Sequence, residues 1–145
     1  PIPTVRKKPV LANRQDLSLH FIFSAAIKLL SEQGISVAVG EFKELMDRGK
    51  GGSGYSFIDL TADIAGANFA TLAVDPRTAE QIQNVMSLEA NETLFFPSID
   101  GFDEGMNKSQ FRKKDSDVGS AEYLEVINEI DKRVSRLPVS KVSNK

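Results

Sequence analysis

The side chains able to do chemistry in this chain are few: a set of carboxylates around one histidine. His20 is the only histidine. Glu41, Glu44 and Asp47 follow at steps of three, and Asp59 and Asp63 lie four apart. Residues three or four apart share one face of a helix, so each set can present its acids together. Asp16 stands four residues before His20, where a carboxylate could orient the imidazole. Asp63 has the oddest setting, among Leu60, Ala62, Ile64, Ala65 and Gly66. Burying an unpaired carboxylate is costly, so an acid there needs a partner.

Three arrangements meet that need. One is a salt-bridge or hydrogen-bond network with Lys43, Arg48, Lys50 or His20. A second is an oxygen-rich site for a divalent cation, built from several carboxylates and one imidazole. The third is a general acid–base pair acting on a bound ligand. The network asks least of the sequence. Same-face carboxylates on helices are usually solvated, and Lys43 stands four residues before Asp47, the spacing of an ordinary surface pair. His20 reads as a hydrogen-bonded core histidine before it reads as a ligand. No cofactor is assigned; a divalent cation is the less favoured alternative.

Several chemistries are excluded or weakened. Cys 0 removes disulfides, zinc–thiolate sites and cysteine nucleophiles, and a single histidine removes multi-histidine metal sites within one chain. The run Gly49-Lys50-Gly51-Gly52-Ser53-Gly54 precedes a helix but fails the phosphate-loop pattern, because its lysine comes before the last glycine. It reads as a flexible turn. No Gly-x-Ser-x-Gly elbow is present for a serine hydrolase. Lys+Arg 18 against Asp+Glu 20 leaves a net charge of −2, and the aromatic residues are not interleaved with basic ones, so nucleic acid is not an expected partner.

The elements that must position these side chains are helical. The chain has 145 residues, 41% hydrophobic and 26% charged, which is ordinary globular usage for one domain. Pro1, Pro3 and Pro9 make residues 1–13 an extended arm. A first helix over about 14–33 is apolar nearly all round and should sit centrally, with Gly34 at its end. A second, about 37–48, carries Ala38, Phe42, Leu45 and Met46 on one stripe, although Val37 and Val39 leave room for a short strand. A third, about 57–73, opens with Ser56 and Asp59 in capping-box spacing, and its Ala62, Gly66 and Ala70 let another backbone come close. Asp75-Pro76 starts a fourth helix to about residue 88, with Ala79, Ile82, Val85 and Met86 inward.

Residues 89–119 lack long periodicity, apart from a short helix near 108–113, but carry enough apolar side chains to wrap on the core. A last helix over about 120–137 has Tyr123, Leu124, Ile127, Ile130, Val134 and Leu137 on one face. Pro138 ends it, and residues 139–145 should fray. The fold expected is mainly α: a compact bundle of about five helices over residues 14–138, with a long wrapped loop before the last. The most apolar run, residues 17–30, is too short and too polar for the roughly 20-residue stretch that spans a bilayer. No transmembrane span is expected.

The order Leu19-His20-Phe21, Gly40-Glu41-Phe42-Lys43-Glu44-Leu45-Met46-Asp47, Ser53-Gly54-Tyr55-Ser56-Phe57-Ile58-Asp59-Leu60 and Ala62-Asp63-Ile64-Ala65-Gly66 resembles a group of uncharacterised, largely proteobacterial proteins. Phe95-Phe96-Pro97 and the last helix extend the resemblance over most of the chain. More distantly, the histidine–glutamate–aspartate–glycine order is similar to YfiM-type lipoproteins and VanZ-like envelope proteins. His20, Glu41 or Glu44, Asp59 or Asp63, and Gly66 occupy the motif positions. VanZ-like proteins span the membrane several times, whereas this chain has no convincing span. The resemblance implies a periplasmic or envelope-associated setting and a polar cluster shared by the first three helices, but no activity.

The expectation is a soluble or peripherally attached module that binds a small ligand or an envelope protein, or serves structurally. His20, Glu44 and Asp63 should converge, with Glu41, Asp47 and Asp59 nearby. The alternative is a hydrolase in which the carboxylates and His20 hold a divalent cation that activates water.

Overall fold

A computed structural model of the chain describes residues 7–32, 56–89, 91–105 and 120–144, and four α-helices lie among them. They are α1 (Gln15–Glu32), α2 (Phe57–Val74), α3 (Ala79–Leu88) and α4 (Ala121–Ser135). Short 3₁₀ turns occupy Glu92–Leu94 and Ser140–Asn144. Among the described residues there is no strand, only an isolated bridge between Leu11 and Arg14. The mainly helical bundle is as expected. The anticipated helix over 37–48, the glycine-rich turn over 49–54 and the short helix near 108–113 lie outside the described residues.

Each helix boundary has a local cause. Ahead of α1, Leu11 and Arg14 exchange backbone hydrogen bonds of 3.0 and 2.9 Å across Ala12 and Asn13, whose φ values are +48° and +60°. Asparagine tolerates that left-handed region; alanine does so at a cost. The Glu92 carboxylate offsets it by accepting the Ala12 N–H at 3.2 and 3.3 Å. Ser56 caps α2, its hydroxyl accepting the Asp59 N–H at 3.0 Å, and Phe57 N–H donates to Asp103 O at 3.0 Å. Regular α3 begins three residues later than the Asp75-Pro76 signal suggests. Asp75 still accepts the Arg77 N–H at 2.9 Å, but residues 76–78 form a turn first. Ser120 caps α4 by accepting the Tyr123 N–H at 3.2 Å.

The small-residue stripe of α2 does what its spacing implies. Ala62, Gly66 and Ala70 are buried, and α1 crosses at Gly66. A Cβ added to Gly66 would lie 2.1 Å from the Phe21 carbonyl oxygen. Only glycine admits that approach.

Among the described elements the first helix is not the central one, contrary to expectation. α2 packs against α1, α3, α4 and the C-terminal 3₁₀ turn. α1 instead leaves Leu19 and Ile22 exposed at 43% and 51%. α2 is also the one described helix long and apolar enough to cross a membrane. It is the core helix of the bundle, with Ala62 and Ala65 fully enclosed, and makes no clear span.

The segment before α4 wraps on the core over its described part, 91–105. Phe96 is buried, and Phe95 meets Phe21 edge-on at 5.4 Å between ring centroids. From α4, Arg133 donates to the carbonyls of Ser98 and Asp100, each at 2.9 Å, and lies 4.3 Å from the Phe102 ring centre. Two further expectations change. Leu124 is 47% exposed, and Val126 packs against the core in its place. The tail does not fray after Pro138: Val139 is fully buried, and Ser140 donates to Val134 O at 2.7 Å while accepting from Asn68 at 3.0 Å.

Candidate functional site

The crossing at Gly66 brings short polar side chains of α1 and α2 within reach of one another. His20 is buried on the α1 face that meets α2, one residue before Phe21. Its Nδ1 lies 2.9 Å from Asp63 Oδ1. A carboxylate oxygen accepts, so Nδ1 carries the hydrogen in this contact. Ser24, one turn further along α1, donates its hydroxyl to the same Asp63 oxygen at 2.8 Å. On the other edge of the ring, His20 Nε2 faces Asp59 Oδ2 at 3.5 Å. The two aspartates, one turn apart on α2, hold the imidazole between them.

A second group adjoins the first. Asp59 Oδ1 is closed off from water, 3.9 Å from the Arg14 guanidinium. Arg14 also pairs in bidentate fashion with Asp16, and with Glu104 from the wrapped segment. The Arg14 hydrogen bond holds the Asp16 carboxyl below the usual carboxylate range, and the two carboxylates push the Arg14 guanidinium further up. Asp16, Asp59 and Glu104 each place an oxygen within 4.8 Å of the others, the spacing of a cation site. The guanidinium beside all three already supplies the positive charge.

Of the expected trio His20, Glu44 and Asp63, the structure brings His20 and Asp63 together, with Asp59 beside them. Glu41, Glu44 and Asp47, together with Lys43, Arg48 and Lys50, lie outside the described residues. Asp16 departs from expectation: its carboxylate is half-exposed and turned to Arg14, leaving Asp63 and Asp59 to orient the imidazole. Ser24, Arg14 and Glu104 were not anticipated. Ser24 had a signal, since it stands four residues after His20 and so shares its face. Glu104 had none, because it meets Arg14 from ninety positions away.

Beside the cluster runs an open groove of about 320 Å³ between α1 and α2. Ser24, Lys28, Ser31 and Asp63 give it polar groups, and Ile27, Ile64 and Ala67 give it apolar ones. Asp63 belongs to both: one oxygen serves the helix contact, while its side chain is 28% exposed at the groove.

The hydrogen-bond order limits the chemistry. A serine nucleophile needs its hydroxyl proton aimed at a base that can carry it away. The Ser24 proton goes to Asp63, and so does that of His20 Nδ1, so the hydroxyl and imidazole share an acceptor instead of acting in series. Comparisons of the chain with protein-family models, with curated proteins and with solved structures give no match.

Proposed function

We propose that this chain is a non-catalytic module of the bacterial envelope that binds a ligand or protein partner, or serves structurally. In this reading His20, Ser24, Asp59 and Asp63 clasp α1 to α2. The observation that carries it is the shared acceptor: His20 Nδ1 and Ser24 Oγ both spend a hydrogen on Asp63 Oδ1. A clasp of that kind fixes two helices, and the groove beside it presents mixed polar and apolar groups to a partner. The envelope setting draws its support from the sequence resemblance alone.

The competing reading, a cation-dependent hydrolase, needs an imidazole nitrogen and carboxylate oxygens facing an open volume. Here both ring nitrogens face aspartates.

The test is thermal unfolding of wild type and Asp63→Asn in EDTA, then with Mg²⁺, Ca²⁺, Mn²⁺ or Zn²⁺, alongside turnover of p-nitrophenyl phosphate and acetate. The clasp predicts a lower melting temperature for Asp63→Asn, no cation response in either protein and no turnover. A cation-dependent rise in wild type that vanishes in the variant, accompanied by turnover, would replace this reading with the hydrolase. A native ion at a hundred times its dissociation constant should add about 2.7 kcal/mol, well within detection.

A further inference from the structure

We propose that Asn91 is an acceptor for an N-linked glycan, transferred from a polyprenyl-pyrophosphate-linked oligosaccharide by an oligosaccharyltransferase. Asn91-Glu92-Thr93 has the Asn-x-Thr acceptor pattern with no proline in the middle, and Glu89 places an acid two residues ahead of the asparagine. Asn107-Lys108-Ser109 has the same minimal pattern with Gly105 two residues ahead, so the chain contains its own comparison.

A pattern of three residues arises often by chance. The structure adds two observations that bear on reactivity and access.

The first concerns the carboxamide. Asn91 Oδ1 accepts hydrogen bonds from both the Thr93 N–H and the Thr93 hydroxyl, each at 3.0 Å. A carboxamide nitrogen is a poor nucleophile until it gives up a proton, and charge then gathers on the amide oxygen. Donors already aimed at that oxygen stabilise the change. In the transfer, Nδ2 attacks the anomeric carbon of the first sugar. The new C–N bond replaces the C–O bond to pyrophosphate, polyprenyl pyrophosphate leaves with the electron pair, and the Nδ2 proton passes to a base of the transferase. Nothing is oxidised or reduced.

The second concerns access. Asn91 caps the 3₁₀ turn Glu92–Leu94, which holds the rest of the acceptor pattern. Leu88 just before it is 86% exposed, and Glu89 and Thr93 are exposed. Asn91 itself is half-buried and lines an open cavity of about 550 Å³ with Val10 and Met86. A surface connection outside regular helix is where an enzyme can draw a chain into an extended binding cleft.

Modification in cells rests on the envelope setting proposed above, so the test separates the two. The folded full chain is incubated with a purified bacterial-type oligosaccharyltransferase and a lipid-linked oligosaccharide of known mass, with an acceptor peptide as enzyme control, and followed by intact mass and peptide mapping. One oligosaccharide is expected, on Asn91. It should disappear in Asn91→Gln and Thr93→Val, persist in Thr93→Ser and fall in Glu89→Gln, with circular dichroism showing each variant folded. An unmodified chain beside a modified control peptide, or transfer to Asn107 alone, would overturn the proposal. Transfer in the tube, with the cellular chain found in the cytoplasmic fraction, would retain the acceptor site and refute the envelope setting.

Discussion

Gly66 of α2 lies against the backbone of Phe21 on α1, so close that a Cβ there would meet the Phe21 carbonyl oxygen at 2.1 Å. Backbone cannot move aside as a side-chain tip can. Gly66→Ala should therefore cost about 3 kcal/mol, the upper range for overpacking. Gly101 supplies the contrast, for nothing lies within 4 Å of its added Cβ but its φ is +82°. Gly101→Ala should cost about 1 kcal/mol from conformation alone. Urea unfolding of both variants checks the ranking, and a milder loss at Gly66 would mean that α1 can rise off α2.

Removing the acceptor shared by His20 and Ser24 leaves two donors without their partner. Asp63→Ala should destabilise by about 2 kcal/mol, in the range for hydrogen bonds to a charged group. A double-mutant cycle with Ser24→Ala should show coupling of about 1 kcal/mol, since the two residues touch. Additive losses would mean that the Ser24 bond contributes nothing to the clasp.

Whether the apolar residues found by sequence also pack was legible for some elements and not others. The Ala62, Gly66, Ala70 spacing is a statement about missing Cβ bulk, which local sequence carries. Asp63 stood out because an acid on a closely packed face must find a donor. The position of Arg14 beneath Asp16, Asp59 and Glu104 could not be read, because it depends on how the 91–105 segment returns to the start of α1. The tail was misread for a related reason. Pro138 does stop the helix, but whether Val139 then points inward depends on Leu94, whose carbonyl accepts the Val139 N–H at 3.2 Å.

That tail gives a stability prediction. Val139 is wholly enclosed, so a chain ending at Pro138 should lose about 2 kcal/mol, the order expected for exposing one valine. Unfolding in urea with an unchanged m-value would confirm a local loss, while equal stability would show that the tail only rests on the surface.

Arginines depress the carboxyl groups of Asp16, Asp75 and Glu129, and the first two illustrate the acid dependence. Arg14 lowers Asp16 below its ordinary 3.8, and Arg77 lowers Asp75 to about 2. A carboxyl with a depressed folded-state pKa contributes stability above its unfolded value. That contribution disappears as pH falls through the folded one. The difference in stability between wild type and Arg14→Gln should hold near neutral pH and shrink below about pH 4. An NMR titration should place Asp75 near 2 and move it upward in Arg77→Gln.

Arg14 also governs the response to cations at the three carboxylates. In Arg14→Ala the guanidinium is gone, and Asp16, Asp59 and Glu104, whose oxygens lie within 4.8 Å of one another in the wild type, are left without it. Ca²⁺ should then raise the melting temperature of the variant and leave wild type unmoved. Isothermal titration checks it, and equal behaviour of the two proteins would show that the arginine is not what shuts the ion out.

The backbone contact at Gly66 also has a mechanical side. Two helices that touch through side chains can slide by exchanging one ridge for the next. Where one backbone rests on another, sliding would drive the next residue's bulk into the gap, so the remaining freedom is rotation about the point of contact. Phe21 lies nearer the beginning of α1 than its end, which makes the crossing a fulcrum with unequal arms. The ties on either side of that crossing, Arg14 to Glu104 before it and Ser24 to Asp63 after it, therefore resist the same rotation from opposite arms.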